Sequence, residues 1–109
     1  MKKKIRKELR KLSEKVYQIQ LDEELSKLAN NFNDWQNKRI DGFELSDRIH
    51  EFHDGSAREL WKRYNYSRND FHSVAIAIVG GQLPESEISE DAMSELKSTI
   101  EFYKHQFSK

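Results

Sequence analysis

The sequence predicts an all-α fold, a single-domain helical bundle of five or six helices. Three observations carry that expectation. Apolar residues recur at spacings of three and four in every long segment, the period of a helix with one buried face. Capping-box spacing, an N-cap residue followed three positions later by an acid, occurs at Asp41/Glu44, Ser56/Glu59 and Ser67/Asp70. The 109 residues contain one Pro and four Gly, so few positions interrupt a helix.

The N-terminal third holds two apolar sets. Ile5, Leu9, Leu12, Val16 and Ile19 form one stripe, and Leu21, Leu25, Leu28, Phe32 and Trp35 form a second in a different phase. Two structures accommodate the jump at 20–22: one long helix whose stripe moves round, or a break with Asp22 as N-cap. The break is preferred, because Asp22-Glu23-Glu24 places anions in a first helical turn. Residues 1–4 are expected to fray. The second helix should end at the basic run Asn37-Lys38-Arg39.

The densest stretch is 40–64. Asp41 is read as a cap, with Ile40 and Leu45 at staple positions, and a helix runs to about His53. Asp54-Gly55 is read as a tight turn, since glycine closes a helix in the left-handed region without steric cost. Ser56 then caps a second helix to about Tyr64. Leu45, Ile49 and Phe52 make the stripe expected to face the core.

Farther on, VAIAIV suits a strand by composition, but the capping box at Ser67 favours a helix over 68–79, stopped by Gly80-Gly81. Residues 82–87, with Pro84, form a loop. Ser89 caps a final helix with the stripe Met93, Leu96, Ile100, Tyr103 and Phe107.

One cluster carries potential chemistry. Asp47, His50 and Asp54, at i, i+3 and i+7, share a helical flank with His53 beside them. Imidazole and carboxylate are ligands for Zn, Fe or Mn, and His72 could add a third imidazole. The competing reading is a solvated polar flank, with His72 a buried neutral imidazole. An H-x-x-H spacing lacks the general base of H-E-x-x-H and fixes no reaction.

The segment FELSDRIHEFHDG followed by ARELWKRY resembles a stretch in small bacterial helical proteins of unknown function. The resemblance covers about a quarter of the chain. It implies a family without a described role and assigns no functional residue.

Composition narrows the rest. Cysteine is absent, which excludes disulfides and thiol chemistry. No stretch is long and apolar enough to span a bilayer, and the basic start lacks the apolar core of a secretory signal, so a cytoplasmic location is expected. Net charge is zero but uneven: residues 1–15 carry eight basic and two acidic side chains, and residues 16–61 carry five and ten. Neither a phosphate-binding glycine loop nor a serine nucleophile elbow is present. The first functional reading is therefore an interaction or regulatory protein that uses a helical surface, with a protein partner or self-association, no membrane and no cofactor. The second is an enzyme dependent on a divalent metal at Asp47, His50, His53, Asp54 and His72. The third is nucleic-acid binding through residues 2–15 and the Arg58, Lys62 and Arg63 face, against which the neutral total argues.

Overall fold

The computed structural model describes residues 2–66 and 68–107. The elements are α1 (Lys3–Gln36), α2 (Gly42–Phe52), a π-helical segment (His53–Ala57), α3 (Arg58–Asn65), α4 (Asp70–Val79), a 3-10 turn (Glu85–Glu87) and α5 (Glu90–Phe107). The class is all-α, with no strand among the described residues. Because α2, the π segment and α3 join without a gap, there are four helical runs among the described residues rather than five or six. None of them is long and apolar enough to cross a membrane.

Chain contacts gather these elements into two compact units. Unit 1 holds the residues up to Val16 and those from Asn69 onward; unit 2 is Tyr17–Arg68. Helix α1 runs unbroken through both, starting already at Lys3, so the expected break at Asp22 is absent. The Asp22 carbonyl lies inside the helix and accepts from Ser26 Oγ at 2.9 Å. A break would have left up to eight backbone groups without helical partners. The jump in apolar phase falls within about a turn of the unit boundary: Ile5, Leu9, Leu12 and Val16 belong to unit 1, and Ile19 and the second stripe to unit 2.

Unit 1 is well filled. Leu9, Val16, Val74, Ala75, Leu83, Ala92 and Leu96 are all at most 2% exposed. Ala75 and Ala77 on α4 let its backbone approach α5 closely. The strand-like composition of α4 yields to its ends. Asn69 caps it, accepting from the His72 backbone N–H at 3.2 Å. Ser67, the expected cap, lies outside the described residues. At the other end Gly81 has φ +79°, and the N–H groups of Gly81 and Gln82 donate to the carbonyls of Ile78 and Ala77. That is the Schellman pattern, which needs one left-handed residue. Ile76 is 39% exposed, so α4 is not buried all round.

The start of α5 is capped twice. Ser89 Oγ accepts from the Ala92 N–H at 3.2 Å, as the sequence indicates. The N3 position is Ala92, which cannot complete a capping box; Glu8 of α1 completes it instead. Its carboxylate accepts from Ser89 Oγ at 2.6 Å and from the Ser89 N–H at 2.9 Å. An ion pair of Lys15 with Glu87, at 2.5 Å, joins the same two segments.

In unit 2, α1 ends in a second Schellman pattern: Arg39 N–H donates to the Asp34 carbonyl and Lys38 N–H to that of Trp35. Lys38 takes the left-handed position at φ 60°. Asp41 caps α2 as expected, accepting from the Glu44 N–H at 2.8 Å. Glu44 does not return to the cap, because its carboxylate binds Arg48 at 2.8 Å. The turn expected at Asp54-Gly55 does not form, and Ser56 caps nothing. The stripe explains why. Continued at spacings of four and three, Leu45, Ile49 and Phe52 would lead to Ser56, Glu59 and Arg63. The apolar residues stand one place later, at Ala57, Leu60 and Tyr64. A π turn takes up one extra residue, so it restores the phase without breaking the helix.

Candidate functional site: an apolar groove on unit 2

Unit 2 differs from unit 1 in how its apolar residues are used. Among the described residues only Leu45, Leu60 and Tyr64 form its buried hydrophobic set. Leu25, Phe32, Trp35, Phe43, Ile49, Trp61 and Tyr66 remain between 38% and 86% exposed. The second stripe of α1 is therefore not a core stripe: none of its five members is buried. Phe52, expected in the core, is only half-buried.

Two ties hold the hairpin of α1 and the 42–65 run. Near the loop, Arg48 donates to Asn31 Oδ1 at 2.5 Å and to Glu44, with Asp34 at 3.9 Å. At the far end the Tyr64 ring stacks on Tyr17, centroids 4.7 Å apart, and its hydroxyl donates to Gln20 Oε1 at 2.7 Å. Burial pushes the Tyr64 phenol above its ordinary value, partly opposed by the Arg63 guanidinium and by hydrogen bonds from Arg63 and to Gln20.

Between these ties, beside the π segment, lies a groove of about 590 Å³. Tyr17, Leu21 and Leu25 form one wall, and Phe52, Ala57 and Trp61 the other. His53, Asp54 and Arg58 stand at its lip. The π segment sets this arrangement, since its extra residue brings Ala57 and Trp61 onto the same side as Phe52.

No protein-family model, curated protein or solved structure matches the chain.

The predicted site residues are distributed as follows. Asp47 and His50 lie exposed on α2, while His53 and Asp54 are exposed in the π segment and border the groove. His72 belongs to unit 1, where it is exposed rather than buried; its Nδ1 is 2.8 Å from the Tyr103 hydroxyl. Among the described residues no three histidine, aspartate or glutamate side chains stand together as a metal-binding group. Tyr17 and Arg48 were not legible as positioning residues. Tyr17 precedes Leu21 by four and is the true start of the second stripe, but Val16 and Ile19 read as a continuation of the first.

Proposed function

We propose that this protein acts as a protein-interaction module, with the apolar groove of unit 2 as its binding surface. The observation that supports this is the imbalance within unit 2, whose large hydrophobic side chains are mostly exposed. Isolated exposed hydrophobics are ordinary, but Leu25 and Trp61 stand exposed on the two walls of one groove, and an open apolar groove of that kind suits a partner that covers it. At about 100° per residue, Leu21, Leu25 and Phe32 fall within roughly 40° of one another on α1. Ile49 precedes His53 by one turn on the opposite helix, extending the same flank. The reaction-based reading has less to rest on, since the lip residues include no nucleophile paired with a base.

The test is site-specific photo-crosslinking in the full chain. A crosslinking residue at position 25 or 61 should give one discrete adduct. The same residue at Glu95, exposed on α5, should give none. Failure to form an adduct at 25 and 61 would remove the reading.

A further inference from the structure

Resting on that reading, we infer that the occupant of the groove is a second copy of this chain, seated about a twofold axis so that two hairpins complete a four-helix core. Three features of the hairpin lead there. The first is period. Leu21, Leu25, Leu28, Phe32 and Trp35 recur at spacings of four, three, four and three, a heptad-like row two heptads long against which a helix of the same period packs. A two-helix layer is half of a four-helix bundle.

The second feature is charge. Asp54 and Arg58 stand at the lip of the groove with opposite signs, and neither has an ion-pair partner among the described residues. In an isologous pairing each residue of one copy meets its counterpart set on the other, so one acid and one base are answered reciprocally. A groove meant for a strongly acidic or basic partner would carry one sign.

The third is area. Leu25, Phe32, Ile49 and Trp61 are each 38–45% exposed. With the half-buried groove walls they offer roughly 400 Å² of apolar surface, taking 150–250 Å² for a whole aromatic side chain. One side of a standard interface covers about 800 Å², a little over half of it apolar. That area matches the apolar share of one side of a standard interface.

Sedimentation equilibrium of the full chain tests this. The wild-type protein should have twice the 13.0 kDa chain mass at micromolar concentration. Arg58→Asp and Asp54→Arg should each raise the dissociation constant by about tenfold or more, with circular dichroism unchanged, because both positions are exposed. Mixing the two variants should restore the dimer, since both reciprocal contacts of the mixed pair are again between opposite charges, whereas each variant alone has two like-charge contacts. Leu25→Glu should be monomeric and helical. A dimer indifferent to all of these substitutions would overturn the inference, because it would use another face. A wild-type monomer would also overturn it, and Leu25→Glu then decides the fate of the underlying reading. If that variant is as stable as the wild type, the groove still serves a different protein. If it unfolds, the face belongs to unit 2's own core and the interaction reading falls too.

Discussion

The ring of Tyr64 lies flat on that of Tyr17, centroids 4.7 Å apart and planes 5° from parallel, while its hydroxyl reaches Gln20 on the same helix. This contact fixes the distance between the two walls of the groove at one end. It also joins residues 47 positions apart, which no local pattern in the sequence announces. Tyr64→Phe keeps the stack and removes the hydrogen bond. It should destabilise by about 1 kcal/mol at neutral pH, measured by denaturant unfolding.

The same residue predicts a pH dependence. Burial raises the Tyr64 phenol in the folded state. The folded state therefore holds the proton after the unfolded chain has begun to lose it. Stability from this group is intact below about pH 10, the unfolded phenol's value, and falls as pH rises from there through the higher folded value. Tyr64→Phe should flatten that alkaline loss. An identical slope in wild type and variant would mean that the phenol ionises freely in the folded protein.

Gly55 distinguishes a helix-ending turn from a π-helical continuation. A glycine at a left-handed cap resists replacement, whereas one in a right-handed helical run is a weak point. Gly55 does not have positive φ, and a Cβ built on it meets nothing within 4 Å. Gly55→Ala should thus stabilise by about 0.5–1 kcal/mol, read from thermal or urea midpoints. Loss of stability would point back to the tight turn.

What the sequence disclosed follows a physical division. Elements with strong local chemistry were legible: the caps at Asp41 and Ser89 and the Gly81 stop are set by residues within four positions of one another. The α4 helix was legible from its Gly80-Gly81 stop despite its strand-like composition, while its observed cap, Asn69, was not among the expected caps. Elements decided by tertiary contacts were not. An apolar stripe looks the same whether it faces a core or open solvent, so Leu25 and Phe32 were indistinguishable from Leu9 and Leu12. A one-residue slip in phase is served equally by a turn or by a π segment, and Asp54-Gly55 carries the residues of the former. The groove was not legible at all, because its walls come from segments more than 25 residues apart.

Metal dependence is testable in the histidine flank. Asp47, His50 and His53 are exposed, and no three donors among the described residues form a metal-binding group. His50→Ala should shift stability by no more than about 0.5 kcal/mol, and chelation should leave the thermal midpoint unchanged. One equivalent of retained metal, lost on His50→Ala, would establish the metal site instead.

Lys38 holds a left-handed backbone at φ 60° that its side chain disfavours. The Schellman bonds to Asp34 and Trp35 keep it there. Lys38→Gly should relieve this strain and stabilise by about 0.5–1 kcal/mol, part of the intrinsic left-handed penalty being returned as added freedom in the unfolded chain. Amide exchange at Arg39 should slow in parallel. Destabilisation would show that the Lys38 side chain contributes more than its backbone strain removes.

Glu8 and Ser89, 81 residues apart, form a capping box split between two helices. In a local box the glutamate comes from the helix being capped, and its loss frays one end. Here the carboxylate belongs to α1, so the cap also binds the first turn of α5 to the helix beside it. Ser89→Ala should cost about 1–2 kcal/mol, because it removes both the acceptor for the Ala92 N–H and the donor to Glu8. Glu8→Ala should cost about 1 kcal/mol, since the Ser89 N–H loses its charged acceptor but stands at an exposed position where water can replace it. The double variant should lose less than the sum of the two, by about 0.5 kcal/mol or more, as expected of residues in one hydrogen-bonded network. Strict additivity in the denaturant-unfolding cycle would mean that the two residues act independently and that α5 is capped by Ser89 alone.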